Sequence, residues 1–474
     1  MSFWKSLIYN LPEVTGPTQK RLGFKEKLKW TLLILVLFFV LGAIPLFGLG
    51  ENALAQFEFL SLILGASFGS IISLGIGPIV TASIVMQLLN GSGLINFNLK
   101  DATGKRNFQG VQKLLAIVFI VFEAAVYVFM GGLAPSQNLA GTPVYFSLQL
   151  LLVFQLFIGG LLILFMDEIV SKWGFGSGLS LFIAAGVSKS LFVQAFSWLP
   201  AVGGSAEVSY ATGAVPQLFQ AFAAGDLQTA ALAITALLST ILIFVMAVYA
   251  QSMKVEIPLS FGRVRGHGIR WPLSFIYTSN IPVILISALL ANIQLWARLL
   301  QNWGHPFLGT VSSSGAAVSG LVSWITVPGG RRGLLGLIIT QGGFNIGLKP
   351  YIQSLVFLLI LVLGSVVFSY FWVQTSGMDA RSQAKQLLDS GLQIPGFRRD
   401  ERILERILSR YIIPLTIMGG ITIGVLAGVA DLLGALVNGT SLLLTVMIIY
   451  RLYEDIAKQH MMDMHPMLRK MMGG

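Results

Sequence analysis

The chain carries four histidines, His267, His305, His460 and His465, and none lies in an apolar stretch. His460 and His465 are five apart, which takes them off a common helical face and away from ligand spacing. No His-Glu-x-x-His motif occurs, and no glycine loop ends in the Gly-Lys-Ser/Thr of a phosphate cradle. The run Gly174-Phe-Gly-Ser-Gly178 lacks the following lysine and reads as a helix start with close packing. Glu123 alone sits deep in an apolar stretch, while Asp167, Glu168, Glu256 and Asp431 stand at stretch ends. A carboxylate at that depth costs on the order of 2.5–3.5 kcal/mol on insertion scales, so Glu123 must face a partner or water. Cysteine is absent, which removes thiolate ligands, cysteine nucleophiles and disulfides. The expectation is a protein with no catalytic residue, no metal site and no cofactor, and not an enzyme.

The elements that hold these residues are membrane spans. Of 474 residues, 55% are hydrophobic and only 11% charged, less than half the charge of an ordinary soluble domain. This excludes a cytoplasmic enzyme, a disordered chain and a nucleic-acid-binding arm. Ten stretches are long and apolar enough to cross about 30 Å of hydrocarbon: 30–48, 71–90, 112–132, 145–166, 178–197, 229–250, 275–297, 352–374, 411–430 and 434–451. Their unbroken length argues for helices over a β-barrel. With ten spans, 26 of the 31 Lys and Arg fall on one side. The positive-inside rule then predicts both termini in the cytoplasm of a multi-pass cell-membrane protein. Two outside loops are long, 198–228 and 298–351, and the second holds a glycine-rich stretch, Gly333 to Gly347, read as a surface or re-entrant segment. Two inside loops, 251–274 and 375–410, are long and basic.

One segment fits no span. Asn52 to Ala66 is apolar but too short, since about 15 helical residues reach only about 22 Å. Glu58 lies inside it, Gly65 and Gly69 follow it, and Gly75-Ile-Gly-Pro78 interrupts the next span. Broken backbone at membrane depth belongs where protein buries it or a wet cavity runs. Two readings are open: an outside loop with an interfacial helix, or an element inserted into a central cavity. The sequence Gly77-Pro78-Ile79-Val80 is faintly echoed by Ile281-Pro282-Val283-Ile284. These are the second spans of two five-span groups, and an odd number per group gives the halves opposite topology.

The residues Phe24-Lys-Glu-Lys-Leu-Lys-Trp30, Leu74-Gly-Ile-Gly-Pro-Ile-Val-Thr-Ala82, Asp167 to Gly178, Leu181 to Val187, Val255-Glu-Ile-Pro258, Ser279 to Leu285, Ala291 to Trp296 and Arg410-Tyr-Ile-Ile-Pro414 run through the chain in order. Through them the chain resembles SecY, the α subunit of the Sec protein-conducting channel, in its archaeal form. The resemblance implies an all-α polytopic membrane protein: ten transmembrane helices in two inverted five-helix halves around an hourglass pore, with a short plug half-helix. It implies an N-terminal half over 1–197 with the plug at about 52–66, an external hinge loop over 198–228, and a C-terminal half over 229–474. The plug positions are Asn52, Leu54, Phe57, Glu58, Leu60, Leu62 and Leu64. The implied pore ring is Ile76, Val80, Leu179, Ile183, Ile284 and Leu444, with Leu444 ambiguous because Leu442 and Leu443 adjoin it; ordinary helix packing is the alternative for all six. Thr81, Glu123 and Asn292 match a polar cluster at the lateral gate, where hydrogen bonds among them would give Glu123 its partner; polar glue without a gating role is the alternative. Arg263, Arg265, Arg398 and Arg399 match loops that reach the ribosome.

The same resemblance implies a passive channel without cofactors, driven by its partners. These are a γ subunit (SecE), a small β subunit, the ribosome with its rRNA, nascent polypeptides, signal sequences and membrane lipid. Its function would be to pass unfolded secretory chains across the membrane and release transmembrane segments into lipid. Ten spans, inverted halves and broken helices fit one alternative, a secondary transporter of a small solute.

Overall fold

The computed structural model describes residues 10–19, 22–52, 67–91, 94, 95, 97, 102–139, 141–199, 210–261, 268–278, 281–312, 317–341, 343, 346–389, 392, 393 and 400–464. Each of the ten apolar stretches carries a helix. In chain order these are α1 Phe24–Ala43, α2 Gly77–Gly91, α3 Ala102–Phe129, α4 Pro143–Trp173, α5 Gly178–Phe196, α6 Leu227–Ser252, α7 Ile281–Asn302, α8 Leu348–Thr375, α9 Glu401–Leu432 and α10 Gly439–Met464. Seven of them (α3 to α9) are long and apolar enough to cross a membrane. The other three are α1, whose first two turns hold Lys25, Glu26, Lys27 and Lys29, the 15-residue α2, and α10, charged beyond Tyr450.

The helices pack as two copies of one pattern. In the first half α2 packs on α3, α3 on α4, and α1 and α5 on α4 and on each other. In the second, α7 packs on α8, α8 on α9, and α6 and α10 on α9 and on each other. Adding five to each helix number converts one set of contacts into the other. The halves meet chiefly where α5 packs on α10 and α2 on α8. Small residues permit the close α8–α9 approach: a Cβ on Gly424 would lie 2.7 Å from the Val362 Cα.

Several helices overrun their expected spans. Helix α4 continues to Trp173 and α9 begins at Glu401. Hydropathy reports only the part of a helix matched to hydrocarbon, and helical hydrogen bonding carries on into the polar layer. The second span departs the other way. Residues 71–76 are turns, and α2 starts at Gly77 with Pro78 as its second residue. Pro282 is likewise second in α7. Proline is tolerated in a first turn, where its missing N–H would have no helical partner. Gly77 and Pro78 thus open the helix instead of interrupting it. Gly75 turns the chain just before, at φ 58°, a conformation that favours glycine.

The basic loop 251–274 is not irregular. Strands β3 Lys254–Phe261 and β4 Gly268–Ser274 form an antiparallel hairpin, and β5 Leu392–Gln393 from the other basic loop adds to β3. A smaller pair, β1 Glu51–Asn52 with β2 Leu133–Ala134, pins the chain after α1 to the end of α3. The short helix Ala214–Ala224 packs on α5 and α6 within the expected hinge loop, and the helix Gly333–Thr340 packs on α6, α8 and α9. Between Ala214–Ala224 and α6, Gly225 closes one helix at φ 75° and Asp226 caps the next by accepting from Gln228 N and Thr229 N. On the opposite end of the bundle, Pro12 to Thr15 strap α3 to α4. Val14 N donates to Glu168 Oε2 at 3.0 Å, Trp173 Nε1 donates to the Thr15 carbonyl at 2.9 Å, and Lys113 pairs with Glu168.

Candidate functional site

The six expected ring residues come from four places in the chain and meet in one apolar cluster. Ile76, Ile183 and Leu444 are buried in it, and Val80, Leu179 and Ile284 pack against it half-buried. Its other members come from both halves, among them Phe182 of α5, Val283 of α7, Ile423 of α9 and Met447 of α10. Ile76 is fixed by its own backbone, because its carbonyl accepts from Ile79 N and Val80 N and so starts α2.

The two-fold helix pattern extends to these side chains. Val80 is the fourth residue of α2, and Ile284 the fourth of α7. Ile183 is the sixth residue of α5, and Leu444 the sixth of α10. By this repeat Leu444 is the counterpart of Ile183, and Leu442 and Leu443 are the counterparts of Leu181 and Phe182. Aliphatic side chains offer no hydrogen bond to water or ions, and a narrow apolar passage dewets.

The seam between α3 and α7 is also apolar. Ile120, Ala124 and Val128 of α3 share a buried cluster with Ala291, Leu295 and Leu299 of α7. At its surface the Phe122 and Trp296 rings stack, with centroids 6.3 Å apart and planes 28° from parallel. Sequence reasoning did not single out this pair, since an aromatic on each of two lipid-facing helices carries no signal of their meeting. The polar cluster expected here is not hydrogen-bonded. Thr81 Oγ1 donates to the Gly77 carbonyl at 2.9 Å, four residues back on its own helix. Among the described residues no hydrogen bond joins Thr81, Glu123 and Asn292. A helical threonine satisfies its hydroxyl locally at little entropic cost, which removes the need for a partner across the seam. Glu123 and Asn292 are both half-buried.

Of the expected plug, Asn52 lies in β1, paired with Leu133. Leu54, Phe57, Glu58, Leu60, Leu62 and Leu64 fall outside the described residues. The two ends of that excursion are tied together: Pro45 bridges Ser70, Leu46 N donates to the Gly69 carbonyl, and Ile71 N donates to the Ile44 carbonyl. Arg263, Arg265, Arg398 and Arg399 also fall outside the described residues. The strands that lead to them are hydrogen-bonded neighbours, with Ser260 opposite Gln393 and Phe261 opposite Leu392. The two basic loops therefore spring from one sheet. The alternation Val255, Ile257 against Glu256, and Ile269, Trp271, Leu273 against Arg270, is a strand signal that the sequence reading passed over.

A helical membrane protein of two repeated five-helix halves, sealed between them by aliphatic side chains, has the architecture of a channel. The SecY family model matches residues 70–453, and the chain belongs to the SecY family. The protein translocase subunit SecY of Methanothermobacter thermautotrophicus is 48% identical over 469 residues, covering 98% of this chain and 97% of that one. A solved structure on the SecY plug domain, described as stabilising the closed state of the translocation channel and maintaining a membrane seal, superposes with a TM-score of 0.78 at 39% identity, covering 97% of each chain. Sec61 in the canine ribosome-channel complex from the endoplasmic reticulum superposes with a TM-score of 0.76 at 37% identity, covering 97% of each.

Proposed function

We propose that the chain forms the central pore of a protein translocase, passing unfolded polypeptides across the membrane and releasing apolar segments sideways into lipid. The observation that carries this reading is the meeting of Ile76, Val80, Leu179, Ile183, Ile284 and Leu444 between the halves. Aliphatic side chains at such a point exclude water at rest. They can also close around any passing chain, because they make no directional bond that would select one sequence.

Residues 52–66 act as the plug, supported by their tied ends and by the relative whose plug domain is described as maintaining a membrane seal. The lateral gate is the seam of α2 and α3 against α7 and α8, held by apolar packing and the Phe122–Trp296 stack, with Thr81, Glu123 and Asn292 as its polar members. An apolar nascent segment competes with these contacts on equal terms, since it offers the same kind of surface.

Arg263, Arg265, Arg398 and Arg399 contact rRNA phosphates of the ribosome, a reading supported by the related Sec61 ribosome-channel complex and by the shared sheet. The further partners are a γ subunit (SecE), a small β subunit and signal sequences. The charge bias of 26 Lys and Arg on one side supports a cell-membrane location with both termini cytoplasmic. The halves are 1–197 and 229–474, joined by the external hinge 198–228. Energy comes from the partners.

The test is import by vesicles holding the purified assembly. An unfolded secretory precursor, delivered by its ribosome, becomes protected from added protease. Saturable uptake of a small solute with no precursor protection would overturn the proposal in favour of a transporter.

A further inference from the structure

The first N–H groups of a helix have no partner within it. At membrane depth, where water is scarce, each such group left bare costs several kcal/mol. A short polar residue just before the helix usually supplies the acceptor. Helix α5 does not use this device, for Ser177 at its N-cap makes no side-chain capping bond. The acceptor is Asp167 of the preceding helix α4, whose Oδ1 lies 3.0 Å from Leu179 N. In the other half the acceptor is Asp431 of α9, whose Oδ1 lies 2.5 Å from Gly439 N.

The arrangement is the same twice over. An aspartate of the fourth helix of each half accepts from an N–H in the first turn of the fifth, that of Leu179 in α5 and that of Gly439 in α10. Glycine opens both helices because the approach leaves no room for a side chain. A Cβ on Gly178 would lie 2.6 Å from the Asp167 Cα, and one on Gly439 would lie 2.1 Å from the Ala430 Cβ. A negative charge at a helix N-terminus is also favoured by the aligned peptide dipoles.

The helices so held carry half of the ring. Leu179 is itself a residue whose N–H is bound, and Ile183 and Leu444 each stand sixth in their helices. A tether at the first turn fixes both the depth and the rotation of a side chain little more than a turn further on. We infer that Asp167 and Asp431 are paired positioning residues that set the ring side chains of α5 and α10 and so determine how tightly the resting pore is sealed. This rests on the ring reading given above.

The test compares resting ion conductance of the complete reconstituted assembly for Asp167→Ala, Asp431→Ala, Asp167→Asn and Asp431→Asn. Ile183→Gly marks a damaged ring. Phe357→Ala, in a buried cluster of α8 and α9 away from the ring, marks a packing defect alone. The inference expects the alanine variants to leak severalfold more than the parent. It expects the asparagine variants, which keep an acceptor oxygen, to restore the seal. Phe357→Ala is expected to lower the thermal midpoint without leaking. Alanine variants that assemble and seal like the parent while Ile183→Gly leaks would overturn the inference and leave the ring standing. No leak from Ile183→Gly either would overturn the ring reading and this inference with it. If an alanine variant fails to accumulate, Gly178→Ala displaces the tether with the carboxylate still present, and a tight seal there overturns the inference equally.

Discussion

Ile183 and Leu444 occupy one position in two copies of the same half: each is the sixth residue of a helix whose first turn is bonded to an aspartate of the helix before. Each is almost wholly buried, at 1% and 0% exposure. Two unrelated packing residues have no reason to share a register set by two separate tethers. The shared register follows if both face one axis between the halves.

That register makes a prediction within a run of three leucines. Leu442, Leu443 and Leu444 are all buried, so all three alanine variants lose packing, by about 2–5 kcal/mol in a soluble core. Only Leu444→Ala should raise resting ion conductance. Single-channel recording on the three variants checks this, and a leak from Leu442→Ala or Leu443→Ala equal to that of Leu444→Ala would contradict the register.

The Phe122–Trp296 stack gives the seam a second test. Aromatic pairs contribute about 0.5–1.5 kcal/mol beyond their buried area. Phe122→Ala and Trp296→Ala should each ease opening, read as membrane insertion of segments less apolar than the parent accepts. Because the chain has no cysteine, Phe122→Cys with Trp296→Cys can be joined by a short bifunctional reagent. The joined form should block insertion, and reversal of the link should restore it; insertion that continues through the link would count against this seam.

The turn between the helix Ala214–Ala224 and α6 carries a pH dependence. Hydrogen bonds from the Thr229 hydroxyl, the Thr229 N–H and the Gln228 N–H hold the Asp226 carboxyl below its ordinary value of 3.8, the Thr229 hydroxyl contributing most. A carboxylate with a depressed pKa contributes its full stabilisation above the ordinary value and loses it as pH falls through the folded one. Amide protection at Gln228 and Thr229 should therefore hold at neutral pH and fall below pH 3.8. Hydrogen exchange read by mass spectrometry checks it, with Asp226→Asn expected to flatten the profile. Protection in the parent that stays constant across that range would remove Asp226 from the turn's stability.

For the basic loops the informative quantity is the salt slope of ribosome affinity. Each phosphate contact contributes roughly 0.7–0.9 to the slope of log affinity against log salt. Alanine at Arg263, Arg265, Arg398 and Arg399, singly, should each reduce the slope by about that amount. An unchanged slope in all four would assign those charges to topology alone.

Much of the fold was legible because hydrocarbon imposes few solutions. Span number followed from apolar length, and the repeated pattern of the halves was hinted at by the echo of Pro78 in Pro282. The hairpin 254–274 was hidden by its basic composition, though Val255, Ile257 and Trp271 alternate as strand residues do. The Asp167 and Asp431 tethers were hidden for a different reason. A carboxylate at a span end looks the same whether it faces water or the next helix, and only the folded distance separates the two. Thr81 shows the reverse, because its match to a polar cluster implied a partner across the seam, yet its hydroxyl is satisfied four residues back on its own helix.

The central claim is that polypeptides cross at the ring. The most direct measurement places single cysteines by Ile76→Cys, Ile183→Cys and Ile284→Cys in the native cysteine-free chain and probes each against a secretory chain stalled during translocation. Crosslinks are expected from all three positions, confined to the part of the stalled chain then within the membrane. Absence of a crosslink from every ring position, with the same chain still protected on the far side, would contradict it.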